Sequence, residues 1–369
     1  MPKLIVKFLG VLAILLLLVG YSAAQARAAR GVPGSQEFAF GAILYAGQPA
    51  SLEQGLALAG ELRPDWLYVP VSWAEIFPAP ERSSLGALDR VMAAASQRQI
   101  PVVISLHSAP SWAMTPTGPD PALTAQISLF LVKQYPGQVQ AIELFPRANT
   151  AQGWGSRPDP AAYLNLFRAV RQALQNENIS VILAAGGLQP LPASPSAEDM
   201  NDLAFLQGLY DAGAQEWVQV LSLQFVELTG EPLTAPADGE YRVLRHYEQV
   251  RQVMVANRHL NGLLWITHLN LPSGQVNPGD AVYQDASKQA DWLKRAYVQL
   301  RSQLYIGAAF LVSLNPSDPP QGAASLIQAD GTRHPFSTTL KELVYQNKKT
   351  SAMEKPGRPK DGSLNKLRQ

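Results

Sequence analysis

Cysteine is absent from the 369 residues, and this excludes both a disulfide framework and a thiolate metal site. Charge is sparse too: Asp, Glu, Lys and Arg together make up 16%, and histidine occurs five times. The formal net charge is +1, but residues 1–30 carry +4 and residues 347–369 carry +5, which leaves −8 for 31–346. A body of that sign argues against a nucleic-acid face, which needs clustered Lys and Arg. Glycine loops for phosphates are missing as well. The one glycine cluster after an apolar run, Ala185-Gly186-Gly187, lacks the G-x-G-x-x-G spacing of a dinucleotide site. No cofactor is expected. His107 and His268 read as structural rather than metal ligands, because no nearby run supplies the carboxylates a metal would require.

What is present is a large apolar fraction, 47%, enough to bury one sizeable core. At the start, Lys3 and Lys7 precede the run Phe8 to Val19, and Ser22, Ala23, Ala24 and Ala26 follow. That order is a secretory signal, with Ala24-Gln25-Ala26 as its cleavage box. Leu4 to Ala24 also approaches the roughly 20 residues that span a bilayer, so an uncleaved anchor is the alternative. Either reading places the protein outside the cytoplasm, secreted or membrane-anchored, and the lack of cysteine fits a bacterial envelope. The expected organisation is a signal or anchor over 1–30, a folded body over 31–346 and a basic tail over 347–369. The tail is rich in Lys, Pro and Gly with little apolar content, a composition expected to be disordered and suited to anionic lipid or wall polymer.

Within the body, eight apolar runs of strand length alternate with amphipathic segments of helix length. They are Phe38–Tyr45, Trp66–Val71, Pro101–His107, Val139–Phe145, Ser180–Ala185, Val218–Phe225, Leu263–His268 and Ile306–Val312. Alternation of this kind predicts βα units on a parallel sheet, and eight of them close a (β/α)8 TIM barrel. Between the runs, Leu85, Leu88, Val91, Met92 and Ala95 keep helical spacing, as do Tyr163, Leu166, Phe167, Val170 and Leu174 after the cap Asp159-Pro160. A last helix is predicted from Thr338 to Tyr345.

Side chains at the C-terminal ends of barrel strands carry function, and several ends here share a pattern. The second leads into Val71-Ser72-Trp73-Ala74-Glu75-Ile76-Phe77-Pro78, and the third into Ser105-Leu106-His107-Ser108-Ala109-Pro110-Ser111-Trp112. The fourth runs Ile142-Glu143-Leu144-Phe145-Pro146-Arg147-Ala148-Asn149, followed by Trp154-Gly155. These segments resemble the clan A (β/α)8 glycoside hydrolases, especially the family 5 and family 39 type related to cellulases and β-xylosidases. The likeness covers nearly all of residues 38 to 345. It implies a glycan-handling barrel whose acid/base glutamate would stand at Arg147 and whose nucleophile would stand at His268, in Trp265-Ile266-Thr267-His268. Both carboxylates are replaced. Gln224 takes the place of a histidine on the sixth strand, and Phe310-Leu311-Val312 lacks the tryptophan floor of the eighth.

Retaining hydrolysis needs two carboxyl groups about 5 Å apart. Arg147 cannot supply a proton near neutral pH, because a guanidinium keeps its charge. His268 could exchange a proton but has no acid beside it in the sequence. Other acids near strand ends are Glu75, Glu227 and Asp318, with Glu227 the best residual candidate. Glu143, on strand parity, faces the same side as Arg147 about 13 Å deeper, and is expected to satisfy a buried partner. Trp73, His107, Trp112, Asn149, Trp154, Gln224, Phe225 and Trp265 are expected to line a sugar groove of ring faces and polar groups.

Three functions stay open on this reading. The leading one is an exported pseudoenzyme that binds a poly- or oligosaccharide, an anionic one if Arg147 and His268 face it. The second is an active β-glycosidase using non-standard carboxylates such as Glu227 with Glu75. The third is a structural platform for another envelope protein.

Overall fold

The computed structural model describes residues 38–47, 49–316, 324–328 and 330–353. The expected signal over 1–30, the tail beyond 353 and Asp318 lie outside the described residues. Eight strands form the ring: β1 Ala39–Ile43, β2 Trp66–Ser72, β3 Val102–His107, β4 Val139–Leu144, β5 Ile182–Leu188, β6 Val220–Phe225, β7 Leu263–Leu269 and β8 Ile306–Ala309. Each pairs in parallel with its sequence neighbour, and β8 returns to β1 through Ala308 opposite Ala39 and Ala309 opposite Phe40. The predicted barrel is therefore closed. Eight long helices surround it: α1 Pro49–Leu62, α2 Gly86–Arg98, α3 Pro121–Gln134, α4 Pro160–Asn176, α5 Asp202–Asp211, α6 Tyr247–Ala256, α7 Ala286–Arg301 and α8 Phe336–Met353.

Local chemistry starts these helices where the sequence says it should. Asp120 and Asp159 each cap a helix whose first residue is proline, accepting two backbone N–H bonds apiece, which satisfies donors that no intrahelical carbonyl can reach. The stripe on α2 buries Leu88, Val91, Met92 and Ala95, and that on α4 buries Tyr163, Leu166, Phe167, Val170 and Leu174.

Two separate apolar groups result from strand alternation. One face of each strand joins the helices in a continuous outer core. The other fills the barrel with Ile43, Trp66, Tyr68, Val103, Trp265 and Phe310, set among the alanines 39, 141, 184 and 308. Large rings meet across the ring of strands, Trp66 to Trp265 at 6.4 Å and Tyr68 to Phe310 at 5.3 Å between centroids, with small residues beside them. Gly41 is required here, since a Cβ on it would lie 2.1 Å from the Phe310 ring. Phe310 is thus interior packing and offers no floor to a ligand.

Two boundaries differ from expectation. The fifth strand runs to Leu188, through Gly186 and Gly187 at positive φ, past the expected end at Ala185. The last helix, expected to end at Tyr345, continues to Met353. Asn347 donates to the Phe38 carbonyl at 2.9 Å and Lys348 to the Arg63 carbonyl at 2.6 Å, which ties the helix end to the start of the barrel.

The filled interior makes a testable demand. Gly41→Ala should destabilise the protein by about 1–3 kcal/mol in urea unfolding, the usual cost of overpacking, and Phe310→Leu should recover part of that loss in the double variant. Equal stability of Gly41→Ala and wild type would show that the plug is loose.

Candidate functional site

The C-terminal ends of the strands open on a mouth built over one buried acid. Glu143 is fully buried on β4 and accepts three hydroxyls: Tyr68 of β2, Ser105 of β3 at 2.8 Å and Thr267 of β7 at 2.7 Å. Ser105 Oγ also lies 2.7 Å from Tyr68 Oη, and Gln224 Nε2 of β6 donates to Tyr68 Oη at 3.2 Å. Burial, then the neighbouring Glu143, pushes the Tyr68 phenol well above its ordinary range. The expectation that Glu143 satisfies buried partners holds. Its two oxygens are occupied, and it is closed to solvent.

A bulge sets the β7 side of the mouth. Pairing steps from Leu223 opposite Ile266 to Gln224 opposite His268, which leaves Thr267 as the extra residue. A bulge re-aims side chains. Here Thr267 reaches down to Glu143 while His268 stands level with Gln224. His268 is half-buried and its Nε2 lies 2.8 Å from Asn270 Oδ1. Asn270 Nδ2 donates to the Val226 carbonyl at 2.9 Å, so the oxygen is the atom facing the imidazole, and His268 carries its proton on Nε2.

The β4 end is more constrained. Strand structure stops at Leu144, and Phe145 and Arg147 both take positive φ, 47° and 61°, a conformation costly for residues other than glycine. The parity argument from Glu143 to Arg147 therefore fails, because the chain between them is not a regular strand. Instead Arg147 is held by its backbone: its N–H donates to the Gly187 carbonyl at 2.9 Å, and its carbonyl accepts from Thr150 N and Thr150 Oγ1, each at 2.9 Å. Gly153 must be glycine for this, since a Cβ there would sit 2.2 Å from the Arg147 oxygen. The guanidinium is half-buried and donates to Gln152 Oε1 at 3.3 Å, with no carboxylate in ion-pair range among the described residues. Burial lowers its pKa from the ordinary value, but a guanidinium remains charged.

His107 completes the group from the end of β3, with Nδ1 2.9 Å from Ser108 Oγ. Burial, and then the Arg147 charge, lowers its pKa to about 4. His268 also falls to about 4, through burial first, opposed by the Asn270 bond and reinforced by Arg147. Both imidazoles feel the same guanidinium. Near neutral pH the mouth then holds one fixed cation, two neutral rings and the amide of Gln224.

Six of the eight residues expected to line a groove are used otherwise. Trp265 lies inside the barrel, fully buried, and Phe225 is buried in the outer core. Trp154 is buried between Phe145 and Tyr163, its Nε1 donating to the Thr117 carbonyl at 2.8 Å. Asn149 is a clamp: its amide donates to the carbonyls of Gln189 and Met200 and accepts from Gln189 N–H, at 2.8 to 2.9 Å. Trp73 is buried edge-on to Trp112, centroids 5.6 Å apart, and Trp112 alone of the tryptophans in the set is partly exposed, though it packs against the outer core and its Nε1 is buried. Proximity to a strand end marks loop packing as readily as ligand contact. Gln224 is buried with its Nε2 on Tyr68 Oη, and only His107 and Trp112 of the set keep partial exposure. Glu75, in the short helical turn Trp73–Ile76, and Glu227, in the loop after β6, are both exposed.

Tyr68, Ser105, Thr267 and Asn270 were not anticipated. Alternation placed Ser105 and His107 on one face of β3, and the same parity along β2 would have paired Tyr68 with Ser72, but nothing in the sequence marks the bulge at Thr267.

No protein-family model matches the chain, and no curated protein matches it. Solved structures do share its shape. A family 39 glycoside hydrolase from the gut symbiont Bacteroides cellulosilyticus aligns with a TM-score of 0.61 at 15% identity, over 85% of this chain and 64% of that one. The chain therefore spans less than two thirds of that enzyme's length. The β-glycosidase BGL167 gives 0.56 at 14% identity over 85% and 97%, and xylanase 10B from Thermotoga maritima 0.54 at 14% over 87% and 98%. The fold is that of the (β/α)8 glycoside hydrolases, as the strand-end segments implied.

Electrostatics at the mouth can be read out directly. Imidazole NMR should show His107 and His268 titrating near pH 4, and Arg147→Met should move both upward, since removing a neighbouring positive charge favours protonation. Because the folded values lie below the ordinary 6.5, the unfolded chain binds protons first as pH falls. The stability contributed by keeping the rings neutral is complete above about pH 6.5 and is lost towards pH 4. His107→Gln with His268→Gln should flatten that loss. Ordinary titration near 6.5 in the wild type would contradict the arrangement.

Proposed function

We propose that this is an exported, glycan-binding barrel that retains the glycoside-hydrolase scaffold without its hydrolytic pair, and that the bound sugar carries an anionic group. The observation that carries the reading is Arg147, pinned by backbone bonds at φ 61° and lacking an acidic partner among the described residues. A fixed guanidinium binds a carboxylate or a phosphate with geometry that lysine does not reproduce. Neutral His107 and His268 add hydrogen-bonding groups for hydroxyls, and the partly exposed edge of Trp112 adds apolar contact.

Absence of hydrolysis is supported by chemistry. The buried acid of the barrel, Glu143, is saturated by three hydroxyls, whereas hydrolysis needs one free carboxylate and one protonated carboxyl group flanking the bond. Export is supported by Lys3 and Lys7 ahead of the apolar run Phe8 to Val19.

Affinity electrophoresis through polygalacturonate and alginate, against neutral xylan and cellulose derivatives, tests the reading. Retardation is expected in the acidic gels, flat between pH 6 and 8 because both mouth imidazoles are already neutral there. Arg147→Met should weaken it at least about tenfold, since a hydrogen bond to a charged group is worth about 1.5–3 kcal/mol, and Arg147→Lys should recover only part. Release of reducing ends from any of these polymers, abolished by Glu227→Gln, would overturn the non-hydrolytic reading.

A further inference from the structure

The face opposite the mouth, formed by the N-terminal ends of the strands, has a character of its own. Phe38 leads into β1 there, and α8 returns to the same edge, where Asn347 and Lys348 bond the carbonyls of Phe38 and Arg63. The loops entering β7 and β8 lie side by side on this face, because those strands pair. Each presents an exposed leucine: Leu260 at 60% and Leu304 at 97%. The Leu260 loop is held in place, since Arg251 donates to the carbonyls of Leu260 at 2.7 Å and Gly262 at 2.9 Å. A single exposed leucine is ordinary on a protein surface, but two on loops of neighbouring strands put apolar tips in water on one face.

Charge around the leucines is mainly positive. Arg63, Arg258 and Lys349 are exposed, Lys348 joins them beside Asp65, and Arg301 closes α7 over the Phe40 ring. Of the acids at this end, Asp65 is tied to the Phe40 N–H at 3.0 Å, Glu177 is paired with Lys133 at 3.0 Å, Glu61 is paired with Arg333 at 2.7 Å, and Asp211 and Glu216 are exposed, Asp211 accepting from Gln207 Nε2 at 2.8 Å. A cationic rim around apolar tips is the composition of an interfacial membrane contact. The sequence on either side agrees: Leu4 to Ala24 is an apolar run ahead of this face, and Lys355, Arg358, Lys360, Lys366 and Arg368 follow it.

We propose that this face rests on an anionic lipid surface, with Leu260 and Leu304 among the headgroups and the mouth turned away towards its ligand. The lack of native cysteine makes the test clean, because one introduced cysteine labels one site. The full-length chain carrying Leu304→Cys with an environment-sensitive fluorophore would be mixed with vesicles of phosphatidylglycerol and phosphatidylcholine. Its emission should shift to the blue on binding, while the same label at Glu227→Cys, on the mouth side, should not shift. Leu260→Asp in the Leu304→Cys background should reduce the shift. A vesicle-bound protein whose position-304 label stays in water overturns the proposal, as does failure to bind. A blue shift without lipid, accompanied by dimer in sedimentation velocity, would assign the face to a second copy instead.

Discussion

A single carboxylate organises the upper half of this barrel. Glu143 is taken out of water on β4, and a buried carboxyl group is tolerable only when hydrogen bonds replace its hydration. The replacements come from β2, β3 and β7, so the acid links strands on different sides of the ring. Gln224 extends the network to β6 through Tyr68. Such a network fixes the relative height of these strands more sharply than apolar packing would, because each hydroxyl left without an acceptor costs about 1–3 kcal/mol. The aromatic plug of Trp66, Trp265 and Phe310 sits with it in the interior, closing the barrel to solvent.

Closure sets the electrostatics above it. No carboxylate among the described residues pairs with Arg147, and its field falls on His107 and His268, which burial has already made reluctant to protonate. The mouth is consequently a place where charge does not change across the neutral range. That suits recognition by a constant cation and fixed hydrogen bonds, and it is the opposite of what acid–base catalysis asks, namely a group whose pKa lies near the working pH. The backbone strain at Phe145 and Arg147 points the same way: a costly conformation is kept by several hydrogen bonds, and what it positions is the guanidinium.

Much of the scaffold was legible because it is written in local periodicity. Strand runs, helix stripes and the Asp-Pro caps need only neighbouring residues to be recognised, and the eight runs match the eight strands closely. The exceptions are local chemistry of a less common kind, such as β5 continuing through two glycines at positive φ, or α8 continuing through Asn347 and Lys348, whose polar composition looked like tail but whose side chains fasten the helix to β1 and the loop before β2. The site was less legible because its decisive contacts are distant in sequence. Thr267 meets Glu143 across 124 positions, and the bulge that lets it do so leaves no compositional trace. The tryptophans misled for a related reason: position near a strand end is visible in the sequence, but whether a ring turns towards the mouth or under a loop depends on a partner such as the Thr117 carbonyl, 37 residues from Trp154.

The two ends of the barrel then have complementary constraints. At the C-terminal end, polar groups converge on a half-buried cation, and apolar surface is largely withdrawn into packing. At the other end, the loops keep leucines in water among basic residues. A barrel transmits little between its ends, because the interior is filled and every strand is paired on both sides. The proposed ligand recognition at one end and the proposed attachment at the other can therefore vary independently, and a protein held by its lower face would present Arg147 outward without any hinge. The orientation follows from chain direction alone: in a parallel barrel all strands start at one end and finish at the other, so the face where the chain enters is always opposite the face that carries the site.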